Sequence, residues 1–205
     1  IGDVYKRQGQ SILMQNYRQF IHQEYGVRQL LVEHTHFNDP EKREHIRRLL
    51  IRAAQQKTIP IVNYNDPVSD EENRKMELAI RRSHGDQVVE CVDNDETAAV
   101  IANLVHAKKL VLMTSTEGIY RDPADPKTLV EQVTAKSMEE LEEKVRQLQE
   151  SCVGASRAGA NGAKAKLEYA LKSARQGTMV IIGHARHRLS DLVEGRVACT
   201  RIGLE

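Results

Sequence analysis

The sequence predicts an α/β protein, a three-layer αβα sandwich around a mainly parallel sheet. Three observations predict it. The apolar segments 109–114 (KLVLMT) and 178–183 (TMVIIG) are unbroken runs rather than polar–apolar alternations, the mark of strands covered on both faces. Strand-like and helix-like segments alternate along the chain, which favours helical crossovers between parallel strands. The 205 residues, 40% hydrophobic and 29% charged, suffice for one domain with a full core and no staples.

Taken in order, residues 1–8 carry no periodic pattern, read as a junction-like segment and are left unassigned; residues 9–205 read as one domain. Ile12, Leu13, Tyr17, Phe20 and Ile21 recur at helical spacing, predicting a helix to about Tyr25 that Gly26 ends. Residues 27–32 read as a strand. Asn38-Asp39-Pro40 is a start signal for a charged helix over 41–56. Residues 59–63 (IPIVN) form a short strand leading into Asn65-Asp66-Pro67, and the polar stretch 69–82 reads as a surface insertion with some helix. Residues 88–92 are expected to be a strand, 96–106 a small-residue helix, and 109–114 the clearest buried strand. A loop rich in proline covers 120–126. Ser137 with Glu140 has the spacing of a capping box at the head of an amphipathic helix over 137–150. A glycine- and alanine-rich loop, 154–162, precedes a helix over 164–176 that Gly177 ends. After the strand 178–183 come a short helix, 189–193, closed by Gly195, and a last strand, 196–202.

Composition excludes several functions. Thirty basic against twenty-nine acidic residues give a net charge of +1, without the basic excess of a general nucleic-acid binder. Aromatics make up 4% of the chain and Trp is absent, which argues against base-stacking platforms. No apolar run approaches a membrane-spanning length, and no signal-peptide pattern is present. Cys91, Cys152 and Cys199 are odd in number and far apart, so a reduced, cytoplasmic protein is expected and a zinc ribbon is not. No metal-ligand set emerges: His34 and His36 form an HxH without an obvious third ligand.

In α/β sheets ligands bind at the carboxyl ends of the strands. The polar clusters 63–66, 93–95 and 114–118 follow predicted strands, and the loop 154–162 opens a helix that carries Lys166. Such a loop can cradle phosphate on backbone N–H groups, with a lysine one turn in to stabilise transferring charge. A flexible connection and a solvated lysine would give the same pattern. An Asx turn would account for Asp66, and an N-cap for Asp95. Neither a P-loop nor a Rossmann fingerprint is present.

Six segments, in order, resemble the amino-acid kinase superfamily, and within it the glutamate 5-kinase family most closely. GQSILMQNY is similar to that family's GQ…L…Y helix, IPIVNYNDPV to IPIINENDxV, and VDNDETAAVIANLVHAKKLVLMT to GDNDxLSAxVAxLxxADxLxLLT. GIYRDPADP resembles GLYTADPRxNP, GANGAKAKLEYA resembles GTGGMxTKLxAA, and LVEGRVACT resembles hxxGxxxGT. The resemblance implies ATP-dependent phosphorylation of the γ-carboxylate of L-glutamate, the first step of proline biosynthesis, with ATP and Mg2+. It places substrate binding on Asp66, Asn94 and Asp95. Nucleotide binding falls on Thr114, Ser115, Gly159, Gly162 and Lys166, with Lys166 also the catalytic lysine. The expected partners are small-molecule substrates, with no nucleic acid and no membrane; a homo-oligomer is compatible with the sequence. Ser115 stands where the family carries aspartate, Val92 and Asn161 where it carries glycine, and Cys199 at the glycine of the final GT. The family's N-terminal strand, with a lysine and a phosphate turn, finds no match before Gly9. The sheet is therefore expected to lack its first strands, and the chain to be inactive alone. Two alternatives stay open: a uridylate or isopentenyl phosphate kinase-like member, or a degenerate, non-catalytic ligand-binding relative.

Overall fold

The computed structural model describes residues 2–65, 71–84, 88–91, 93–122, 124–151 and 162–205. The chain divides into two compact units, Ile1–Asn94 and Asp95–Glu205.

In the first unit, helix α1 (Gly2–Phe20) leads to strand β1 (Gly26–Val32). The helix starts seven residues before Gly9 and stops short of Tyr25. Gly26 does not cap it: Gly26 opens β1, and its N–H donates to the Lys57 carbonyl at 3.0 Å. Helix α2 (His34–Asn38) and helix α3 (Pro40–Gln55) then carry the chain to strand β2 (Thr58–Tyr64). The Asp39 carboxylate accepts from the N–H groups of Glu41 and Lys42 at 2.9 and 3.1 Å, satisfying two orphan donors at the head of α3. The hydrogen bond from Lys42 is the main reason its carboxyl is held below the ordinary value. Ile46, Leu50 and Ala53 form the buried stripe of α3. β1 and β2 pair in parallel from Gly26 opposite Thr58 to Val32 opposite Tyr64, so their carboxyl ends coincide. Helix α4 (Glu71–Ser83) gives the polar stretch a definite helix that buries Leu78.

Residues 88–91 are not a strand. The Asn38 side chain takes both backbone groups of Val89, accepting its N–H at 2.8 Å and donating to its carbonyl at 2.7 Å. Backbone groups satisfied by a side-chain amide are lost to a β ladder.

The second unit runs through helix α5 (Asn94–Leu104), strand β3 (Lys109–Thr114), strand β4 (Gln132–Ala135) and helix α6 (Met138–Ser151). Helix α7 (Gly162–Ala174), strand β5 (Met179–His184), helix α8 (Leu189–Glu194) and strand β6 (Thr200–Leu204) complete it. The sheet order is β3-β5-β6-β4. β3 with β5 and β4 with β6 are parallel, and β5 with β6 is antiparallel. With β1 and β2, three of the four pairings among the described residues are parallel, as the apolar runs predict.

Those runs have a direct physical reason in β5. Val180 and Ile182 point into a core with Leu141 and Val145 of α6 and Leu167 and Ala170 of α7. Ile181, between them, packs on the other face against Leu192 of α8 and Cys199. Each full burial of such an aliphatic side chain is worth about 1.5–3 kcal/mol. Alternation is absent because neither face is wet. At the head of α6 the capping box is only half formed. Ser137 Oγ accepts the Glu140 N–H at 3.2 Å, but the Glu140 carboxylate turns to the Lys136 N–H at 3.3 Å. The adjacent Lys144 ammonium, the leading cause, holds that carboxyl below its ordinary value.

Candidate functional site

Two groups of polar side chains in the second unit lie where its elements begin or end. The first joins the starts of α5 and α7. Asp95 is the second residue of α5, and its carboxylate forms an ion pair with Nζ of Lys166, the fifth residue of α7. Each side chain is only about a quarter exposed, at 27% and 25%. α7 opens on Gly162 at φ +56°, a left-handed conformation that a side chain would oppose. The first turn of a helix presents free N–H groups and partial positive charge, and Lys166 adds a full one. Chemically this is a cation held near an anion-accepting turn by a carboxylate that fixes its position.

The second group lies at the carboxyl ends of the parallel strands β3 and β5. The carbonyl of Thr114, the last residue of β3, accepts from the Ala185 N–H at 2.8 Å, and Ser115 follows it, exposed. Glu117 then reaches back to the loop after β5. Its Oε2 meets Nε2 of His187 at 2.6 Å, and its Oε1 pairs with the Arg186 guanidinium. Gly118 is needed because a Cβ there would stand 2.3 Å from Thr200 Oγ1 and 2.9 Å from the Thr200 backbone N. The fully buried Thr200 hydroxyl in turn accepts the Ile119 N–H at 2.8 Å. The loop after β3 is thereby pinned at both ends.

Of the residues singled out by sequence, the structure brings Asp95 and Lys166 together. Thr114 and Ser115 belong instead to the β3–β5 end. Gly162 opens α7, and Asn94 is exposed at the first position of α5. Asp66 and Gly159 lie outside the described residues. Glu117, Arg186 and His187 had no assigned role in the sequence. Their one sequence signal is position, since each follows a buried strand. His34, half of the HxH pair, is buried with both ring nitrogens bonded, and His36 accepts the Glu33 N–H through Nδ1 at 2.8 Å. Cys91 and Cys199 are both buried. Among the described residues, no helix is long and apolar enough to cross a membrane.

Residues 3–184 match the model of the amino acid kinase family. The chain belongs to the amino acid kinase family. The match covers most of both compact units and ends at His184, the last residue of β5. Among curated relatives, the glutamate 5-kinase of Geobacillus thermodenitrificans (strain NG80-2) is 32% identical over 200 residues, covering 96% of this chain and 48% of that protein. Glutamate 5-kinase 1 of Bacillus subtilis (strain 168) is 29% identical over 199 residues, covering 95% and 49%. The chain thus spans about half the length of the curated relatives it matches. A solved structure from Aeropyrum pernix K1 superposes with a TM-score of 0.45 at 19% identity, covering 78% of this chain and 45% of that one.

Proposed function

We propose that the protein carrying this chain transfers the γ-phosphoryl group of ATP to the γ-carboxylate of L-glutamate, forming an acyl phosphate, as a cytoplasmic step of proline biosynthesis. The observation that carries the reading is the Lys166–Asp95 pair beside the Gly162 turn. Family membership and the glutamate 5-kinase relatives support the acceptor.

In this reading the N–H groups at the head of α7, which opens on Gly162, receive nucleotide phosphate together with Gly159. Thr114 and Ser115, at the end of β3, take the remainder of the nucleotide. The Lys166 ammonium neutralises charge on the phosphoryl oxygens as it moves from the leaving to the attacking oxygen. Asp95 positions that ammonium, a different role from the acceptor contact implied by resemblance. Asp66 and Asn94 hold the amino acid. The acceptor carboxylate is already a nucleophile, so catalysis is positioning and charge neutralisation, with no base required. Mg2+ travels with the ATP phosphates, the usual mode for a small hard cation.

The test is acceptor-dependent turnover. With ATP and hydroxylamine, glutamate should yield the hydroxamate, whereas uridylate and isopentenyl phosphate should support no ADP release. Turnover on either phosphate acceptor instead of glutamate would overturn the reading. ATP and glutamate binding without turnover would favour the non-catalytic alternative.

A further inference from the structure

We propose that His34 is a positioning residue for the acceptor, linking α4 to the carboxyl end of β2; the proposal rests on the acceptor assignment of the segment around Asn65.

β1 and β2 end side by side at Val32 and Tyr64, and the side chains that follow are tied across this end. The Asn65 N–H donates to the Val32 carbonyl at 2.9 Å, and Asn65 Nδ2 donates to Glu33 Oε1 at 2.7 Å. His34 is 6% exposed. Its Nδ1 lies 3.1 Å from the Tyr64 hydroxyl and its Nε2 3.0 Å from Glu77 Oε2 on α4. A carboxylate only accepts, so Nε2 carries the proton, and in the neutral ring Nδ1 accepts from the Tyr64 O–H. The chain Tyr64–His34–Glu77 therefore has one direction.

Packing alone does not call for it. α4 already docks through the buried Leu78, and Arg81 donates to the Asn38 carbonyl at 3.2 Å. An apolar ring at position 34 would fill the space without the cost of desolvating an imidazole. What the histidine adds is orientation. It fixes the Tyr64 hydroxyl, and so the last residue of β2, immediately before the Asn65 side chain that Glu33 holds. The carboxyl end of a parallel pair is where α/β folds place ligands. Glu77, more than half exposed, anchors the chain from α4 and determines the tautomer.

The experiment uses Tyr64→Phe, Glu77→Ala and Glu77→Gln in the protein carrying this chain, with glutamate KM, kcat and ATP binding measured for each. Tyr64→Phe and Glu77→Ala should raise glutamate KM roughly 3- to 10-fold, the scale of one net hydrogen bond. Each strands one nitrogen of the buried ring and should lower the unfolding midpoint, but neither should change ATP binding or kcat appreciably. Glu77→Gln, which keeps an acceptor oxygen, should restore KM. Nitrogen NMR of the His34 ring should show Nε2–H in the parent protein and a tautomer mixture in Glu77→Ala. Unchanged KM in both deletion variants, with normal glutamate saturation in the parent, would overturn this proposal and leave the acceptor reading standing. Absence of glutamate saturation in the parent would overturn both.

Discussion

If Asp95 acts only by holding Lys166, then removing it must cost nothing once the lysine is gone. The perturbations are Lys166→Met, Asp95→Asn and the double variant. Losing one preorganised charged stabiliser of a phosphoryl transition state typically lowers turnover about 10²- to 10³-fold, which sets the expectation for Lys166→Met. For Asp95→Asn the structure sets a smaller figure. A fully exposed ion pair contributes about 0–1 kcal/mol. Here the two side chains are 27% and 25% exposed, which puts the pair at the top of that range. About 1 kcal/mol, spent wholly on orienting the ammonium, is about fivefold in turnover. The double variant should then match Lys166→Met alone, so the coupling energy equals the whole effect of Asp95→Asn. Hydroxamate formation gives kcat, calorimetry gives ATP affinity, and thermal unfolding controls for folding. Equal losses from Asp95→Asn in both backgrounds would refute the argument and return Asp95 to the acceptor side. Near-normal turnover of Lys166→Met would make the lysine a solvated helix residue.

Three further outcomes are expected. Asp66→Ala should abolish glutamate binding in calorimetry while nucleotide binding is kept; unchanged glutamate affinity would identify Asp66 as a turn residue. Thr200→Val strands the buried Ile119 N–H, a loss of about 1–3 kcal/mol in denaturant unfolding, while Thr200→Ser keeps that bond and should lose less, about the 1 kcal/mol of one buried methyl; a silent Thr200→Val would show that the loop has another anchor. Because the folded-state pKa of Asp39 lies below its ordinary value of 3.8, its contribution is present above that pH and is lost as pH falls through the lowered value. Asp39→Asn keeps a capping oxygen but should flatten the acid limb of stability below about pH 4; an acid limb identical to the parent's would contradict the cap's role.

The sequence by itself determined the elements whose signals are local. β3 has the bounds read from KLVLMT, and β5 falls one residue from TMVIIG, because a strand buried on both faces must be apolar at every position. α3, α6 and α8 follow from start residues and helical periodicity, and these too are properties of neighbours. The ordered motifs sufficed for the family. Tertiary structure decided the rest. Residues 88–91 are kept from strand pairing by Asn38, 51 residues away from Val89 in sequence. β4 is only four residues long and exists through its pairing with β6. The pairs that make the sites are equally remote: Asp95 with Lys166 across 71 residues, Glu117 with His187 across 70, and His34 with Glu77 across 43. Periodicity and propensity describe a residue's own segment. Which carboxylate meets which cation depends on where the packed sheet and helices bring distant segment ends together.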